Sequence, residues 1–274
     1  MLLIIENGRL GNQLFQYNFI KKIQKRNEKV FFIGFDALSK IINKKNNYFI
    51  KNTLSNIFIK YRSYLIKLLK KINLFNLIYE DNKKKIIKNY GFFKSITLVD
   101  GFFSNPKIVN KNFFSRLNIN IDPQIISNNF QNSYFVHVRR GDYFNWPSKN
   151  FNAFINDEWY LDCIKKIQIK NDEATFYLFS DNISQIRNKK LLKICKVLNL
   201  DQIDTFKFMC NCEGGILSAS TYSWWAAFIS RHIVYSKCGI YYAPNYWAGF
   251  KKKKFYPKSF KFNTFLKFEN ILTK

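Results

Sequence analysis

The segment His137-Val138-Arg139-Arg140-Gly141-Asp142-Tyr143 sets two adjacent guanidinium groups beside a glycine and a carboxylate, at the end of an apolar run. Adjacent arginines placed this way can hold a diphosphate through forked, charge-assisted hydrogen bonds. Burying both without an anion would be costly, so one could pair with Asp142 instead. Upstream, Asn7-Gly8-Arg9-Leu10-Gly11-Asn12-Gln13-Leu14-Phe15-Gln16 puts two glycines at a helix start, where backbone can approach a ligand and amide hydrogens point at it. The third glycine of the dinucleotide fingerprint is missing, and a glycine turn opening a helix is more often structural. In Phe179-Ser180-Asp181-Asn182 the aspartate could accept hydrogen bonds from a base or ribose, or cap the next helix. Finally, Ser218, Ser220, Thr221 and Ser223 precede Trp224-Trp225 at what reads as a helix start. Hydroxyls and first-turn amides there could cradle phosphate, with the tryptophans either packed inward or shaping a sugar site.

These segments need a frame, and four apolar runs supply one: Leu2–Ile5, Val30–Ile33, Tyr134–Val138 and Thr175–Phe179. Each reads as a buried parallel strand followed by a polar or glycine turn and a helical pattern. Leu10, Leu14, Tyr17, Phe19, Ile20 and Ile23 repeat at helical spacing after the first, and Ile183, Ile186, Leu191, Ile194 and Leu198 after the fourth. The pattern predicts an α/β fold with parallel sheets, whose ligands bind beyond the carboxyl ends of the strands. Leu65, Ile66, Leu68, Leu69 and Ile72, interleaved with lysines, predict a basic amphipathic helix, read as an ordinary surface helix of the first domain with membrane contact as the alternative. The Asn- and Ser-rich stretch Asn118 to Asn132, with Pro123, reads as a linker, giving two α/β domains at 1–127 and 128–274.

Hydrophobic residues at 47% and aromatic residues at 19% exclude a disordered chain. Five scattered cysteines and two histidines, with no C-x-x-C pair, argue against structural zinc and suit a reducing compartment. No run reaches the roughly 18 apolar residues that span a bilayer, and Met1-Leu2-Leu3-Ile4-Ile5 is too short for a secretion signal, so the expectation is a cytoplasmic protein. The balance of 45 basic against 18 acidic residues, +27, would attract nucleic acid, anionic lipid or phosphorylated substrates. A genome rich in AT would also enrich Lys, Asn, Ile and Phe. No helix-turn-helix or aromatic sheet signature supports nucleic acid as a partner. Lys251 to Lys254, followed by Phe255, Tyr256, Phe260, Phe262 and Phe265, predict peripheral contact with an anionic inner membrane.

Taken in order, N-G-R-L-G-N-Q-L-F-Q-Y, H-V-R-R-G-D-Y, F-S-D and S-T-Y-S-W-W-A-A resemble glycosyltransferase family 11, the α-1,2-fucosyltransferases of bacterial type. Weaker likeness runs through Gly101-Phe102-Phe103 and Ala243-Pro244-Asn245-Tyr246-Trp247, so most of the chain is covered. The first two motifs are also similar to those of protein O-fucosyltransferases. The resemblance implies two facing Rossmann-like domains of GT-B type with the active site in their cleft, 1–127 on the acceptor side and 128–274 holding GDP-fucose. It implies inverting transfer of L-fucose from GDP-β-L-fucose to the 2-hydroxyl of a terminal galactose in a bacterial surface glycan. Another linkage or nucleotide sugar is the alternative. No cofactor and no metal are implied, in keeping with the lack of a D-x-D motif. Arg139 would stabilise the β-phosphate, with Arg140 supporting it or the local fold. His137 and Asp181 would face guanine and ribose, Ser220 and Thr221 the diphosphate, and Asn12 the reacting sugar or acceptor. Asp142 belongs with Arg139 and Asn12 in the catalytic set, read as the ion-pair partner that orients the arginines; Glu6 and Asp100 are the other carboxylates near motifs. The sequence departs from the family at Asn182, where a second acid is usual, at Ala219, where Asn is common, and at Gly214-Gly215, where a His-Asn pair is expected. These departures bear on the acceptor.

Overall fold

A computed structural model describes residues 1–42, 47–81, 85–104, 109, 117–119, 130–146, 152–234, 239–244 and 267–269. The chain divides into two compact units, Met1–Asn118 and Ile119–Lys274. The expected boundary at 127/128, Pro123, Cys238, Asn245-Tyr246-Trp247 and the basic run from Lys251 lie outside the described residues.

In chain order the first unit contains β1 (Leu2–Ile5), α1 (Leu10–Ile23), β2 (Val30–Ile33), α2 (Asp36–Ser39), β3 (Asn47–Ile50), α3 (Thr53–Lys60), α4 (Arg62–Ile72), β4 (Phe75–Glu80), β5 (Ile86–Asn89) and β6 (Phe93–Asp100). Its sheet runs β3-β2-β1-β6-β4-β5, parallel throughout except for the β4–β5 hairpin. Leu10, Leu14, Tyr17 and Ile20, three or four residues apart, bury one face of α1, as their spacing predicts. Phe19 on the same helix stacks on Phe103 at 3.8 Å. The predicted basic helix is α4. It packs Ile66 and Leu69 against Leu77 and Leu98 of the sheet, Arg62 pairs with Asp100, and the Lys70 ammonium lies 3.7 Å from Asp100 and 3.9 Å above the Tyr79 ring.

The second unit contains β7 (Ser133–Val138), α5 (Asp157–Gln168), β8 (Thr175–Ser180), α6 (Lys189–Ile194), β9 (Lys196–Val197), α7 (Gln202–Asn211), β10 (Gly214–Ile216), α8 (Thr221–Ile229), β11 (Tyr241–Pro244) and β12 (Lys267–Glu269). Its sheet, β12-β11-β10-β7-β8-β9, is parallel throughout. Every residue of β7 is buried, which is why this strand reads as a continuous apolar run. Tyr134, Val136 and Val138 face Tyr160, Ile164, Phe176 and Leu178 in one core cluster. The run from Ile183 to Leu198 is not the single helix its spacing suggests. It forms a 3-10 turn at Ile183–Gln185, then α6, then β9. The Asn188 side chain accepts from the Lys190 and Leu191 amides, capping a new helix where the periodicity asked for continuity.

Trp224 and Trp225 are fully buried in α8 with their rings edge to face at 5.0 Å, so they build the core rather than line a sugar site. Gly214 and Gly215 are interior strand residues. A Cβ on Gly214 would come within 2.4 Å of the Tyr134 ring, and one on Gly215 within 2.4 Å of the Phe135 ring. Aromatic rings on the neighbouring strand occupy the room that larger side chains would need. This departure from the family therefore concerns core packing, not the acceptor. Cys195, Cys210 and Cys212 are buried free thiols. Among the described residues no helix is long and apolar enough to cross a membrane, and no cluster of three His, Cys, Asp or Glu could hold a metal ion.

Candidate active site

Strands β10, β7 and β8 are adjacent and parallel, with Ile216 opposite Val136 and Val138 opposite Ser180. Their carboxyl ends therefore share one edge of the sheet. The loops leaving that edge are Leu217 to Ser220, Arg139 to Tyr143, and Asp181-Asn182. Three motifs far apart in sequence meet there, at the position where open parallel sheets bind ligands.

Arg139 is at the centre. Its Nη2 donates to Asp142 Oδ1 at 2.6 Å, and its Nε lies 3.2 Å from Asp181 Oδ2, near enough to pair but not aligned for a hydrogen bond. The guanidinium carbon lies 5.2 Å from the centre of the Tyr143 ring. Asp181 also accepts the Arg140 amide at 2.7 Å, so its carboxylate is fixed by backbone as well as by charge and does not cap the turn that follows. Gly141 makes this approach possible. Its φ is +28°, and a Cβ there would come 2.6 Å from Asp181 Oδ2.

Arg140 behaves differently from its neighbour. Its side chain is completely buried, paired with Asp157, and donates to the carbonyls of Ile155 at 2.9 Å and Arg139 at 3.2 Å. The second Asp157 oxygen accepts the amides of Arg187 and Asn188, both at 2.9 Å. The expectation that Arg140 shares in phosphate binding does not fit this enclosure, because its fork is already committed to internal acceptors. It is a positioning residue that ties the Arg139 loop to α5 and the start of α6. Asp157, which matches it across the core, was not singled out from sequence. An aspartate in the first turn of a predicted helix reads as a surface charge, and only the fold shows it buried.

His137 is buried on β7, with Nδ1 2.8 Å from Ser218 Oγ and its ring 5.5 Å from that of Tyr222. Burial, with a smaller push from Arg139, holds its pKa down to about 3, so the imidazole is neutral at ordinary pH. The structure thus places His137 as an internal strut between β7 and the loop before α8. Ser220 is the N-cap of α8, accepting from the Tyr222 amide at 3.2 Å, and Thr221 is the first helical residue. Tyr143 joins the two loops by donating to the Ala219 carbonyl at 2.9 Å. Its own pKa is pushed up to about 12, mainly by burial. Sequence reading quoted Tyr143 in its motif but gave it no role; its one available signal was an aromatic beside Asp142.

Asn12 belongs to the first unit, on the first turn of α1, where its side chain lies against Gly8. Gly8 takes φ +86°, and a Cβ would collide with the Asn12 amide at 2.4 Å. Two glutamines hold this loop shut. Gln13 links the Gly8 carbonyl to the Leu38 amide, and Gln16 links the carbonyls of Asn7 and Gly101. Neither was assigned a role from sequence, although amides on the buried face of an otherwise apolar helix signal backbone clamps. Of the carboxylates near motifs, Glu6 accepts the Phe35 amide at 2.5 Å and Asp100 pairs with Arg62 and Lys70. Burial raises the Glu6 pKa, the Phe35 amide offsets part of that, and Asp36 adds to it.

The family model of glycosyl transferase family 11 matches residues 1–254. An Escherichia coli alpha-1,2-colitosyltransferase is 26% identical over 270 residues, covering 88% of this chain and 90% of the relative. The E. coli O-antigen biosynthesis glycosyltransferase WbnK is 28% identical over 190 residues, covering 64% of this chain and 61% of its own length. Among solved structures, POFUT1 in complex with GDP-fucose is similar with a TM-score of 0.52 at 13% identity, covering 88% of this chain and 97% of that one, which speaks to the fold.

Proposed function

Since the chain belongs to glycosyl transferase family 11, we propose that it transfers L-fucose from GDP-β-L-fucose to the 2-hydroxyl of a terminal galactose in a bacterial surface glycan. The observation that carries this reading is the gathering of Arg139, Asp142, Asp181, Ser220 and Thr221 at the carboxyl edge of three parallel strands. A diphosphate at that edge would take Nη2 of Arg139 from the half-exposed Asp142, while Asp181 keeps hold of the Nε side. The first-turn amides of α8, with Ser220 and Thr221, would face the remaining phosphate oxygens.

In the step itself, the acceptor oxygen attacks the anomeric carbon as the bond to the β-phosphate oxygen breaks, inverting that centre. The bonding electrons leave with GDP, and the hydroxyl proton passes to solvent or a carboxylate. Negative charge grows on the β-phosphate, and Arg139 stabilises it where it develops. Asp142 orients Arg139 in the free enzyme, and Asn12 orients the acceptor. No metal enters this reading, because an arginine and helix amides supply the countercharge.

A second donor has one specific observation in its favour, the likeness to an alpha-1,2-colitosyltransferase along most of both chains. Colitose is 3-deoxy-L-fucose, so the two donors differ by one hydroxyl. The experiment is transfer from GDP-fucose and from GDP-colitose to lactose, N-acetyllactosamine and Gal-β-1,3-GalNAc, with the product linkage read by NMR. An α-1,2-fucoside as the faster product supports the reading. Preference for the 3-deoxy donor shifts it to colitose, and a product linked elsewhere than O2 removes the linkage.

A further inference from the structure

Helix α4 has two apolar stripes, and only one is covered. Ile66 and Leu69 face the sheet. On the outside, Tyr61 at the helix start, then Tyr64, Leu68 and Ile72, follow each other at intervals of three or four residues and are all exposed, Tyr64 at 68%. A lone exposed apolar side chain is ordinary, but a continuous patch marks a contact surface.

The stripe continues past the helix end. The amides of Phe92 and Phe93 donate to the carbonyls of Asn73 and Leu74 at 3.1 and 2.8 Å, fastening the turn Tyr90-Gly91-Phe92-Phe93 beside Ile72. Gly91 is pressed onto the chain at Phe75, where a Cβ would lie 2.3 Å from the carbonyl oxygen. Phe93 packs toward Phe75 with ring centres 6.1 Å apart, while Tyr90 and Phe92 point outward, 75% and 80% exposed.

Charge identifies the occupant. From Lys60 to Lys94 the sequence holds ten Lys and Arg but only two acids, Glu80 and Asp81. Glu80 is committed to the Phe102 and Phe103 amides, and Asp81 accepts the Lys85 amide. Exposed Lys67 and Lys71 border the stripe, and exposed Lys88 and Lys94 border the aromatic turn. A second copy of so basic a face would be repelled. We infer that this face docks on an anionic lipid bilayer, with α4 along the headgroups and the Tyr90–Phe93 turn entering the interface. Aromatic rings favour that depth, and each nearby lysine strengthens attachment to an anionic leaflet roughly fivefold. The contact is thus assigned to the first unit rather than to the lysine run at 251–254, and it favours the membrane-contact alternative for α4 over the plain surface-helix reading.

The test is sedimentation of the full chain with phosphatidylglycerol vesicles and with phosphatidylcholine vesicles, at low and high salt. Binding to the anionic vesicles only, released by salt, is the expected result. Leu68→Gln with Phe92→Gln should weaken it at least tenfold, as should Lys67→Gln with Lys71→Gln. Circular dichroism should be unchanged, because these side chains are exposed, and transfer to a small acceptor should persist. Lys251 to Lys254 changed to Gln should leave the patch-dependent binding in place. Three outcomes overturn the inference: equal binding to both vesicles, loss that follows the 251–254 run alone, or patch variants that change only self-association in the ultracentrifuge.

Discussion

At the scale of single residues, two adjacent arginines have opposite fates. Arg139 keeps a partly open guanidinium held by two carboxylates, whereas Arg140 is sealed against Asp157. Both follow β7 in a loop, and what separates them is their partners: Arg140 is enclosed by Asp157 and the carbonyls of Ile155 and Arg139, whereas Arg139 meets Asp142 and Asp181 at the sheet edge. From sequence the pair could only be read together, and nothing there separated the cation that faces the edge from the one that faces the core. His137 carries a prediction of its own. The folded imidazole stays neutral down to about pH 3, while an unfolded histidine takes a proton below about 6.5. The unfolded state therefore binds more protons in that window, and stability falls as pH drops from about 6.5 toward 3. The loss from this group approaches about 1.4 kcal/mol per pH unit. His137→Gln, which can still bond to Ser218, should flatten urea-midpoint curves between about pH 4 and 6. Curves of equal slope would mean that His137 is not buried neutral.

At the scale of elements, legibility tracked pattern rather than length: the eight-residue β6 was not read as a strand, whereas the four-residue β1 and β2 were. Strands β1, β2, β7 and β8 showed in the sequence because both faces of each are largely covered, which forces an apolar run. β10 did not show, since Gly-Gly-Ile has no strand signature; its identity as a strand comes from pairing with β7 and β11. The site was legible to the extent that motifs fall just after apolar strands, as those after β1, β7 and β8 do. The Tyr143 to Ala219 bond was not, because it joins residues whose separation only the sheet order closes. The exchange of a strand residue for glycine against Phe135 is testable. Gly215→Ala should destabilise the protein by about 1–3 kcal/mol through overpacking, and adding Phe135→Leu should recover part of that loss. Denaturation midpoints of both singles and the double give the coupling. Strict additivity would show that the two side chains do not compete for the same space.

At the scale of the whole molecule, a +27 chain of two α/β units, with family 11 similarity along residues 1–254, suits phosphorylated donors and anionic surfaces alike. If Arg139 and helix amides supply all the countercharge, transfer should continue in EDTA at its untreated rate; a loss restored by manganese would put a metal into the mechanism. In the proposed transfer, Arg139 is the cation that stabilises the β-phosphate charge. It opens a loop at the sheet edge rather than building the core, so Arg139→Ala should fold. Removing a group that meets developing charge costs about 3 kcal/mol or more, at least roughly a hundredfold in rate. The decisive measurement is turnover of GDP-fucose by Arg139→Ala, alongside its melting curve. A near-native melt with turnover reduced at least about a hundredfold is the predicted result, and near-native turnover would contradict the account.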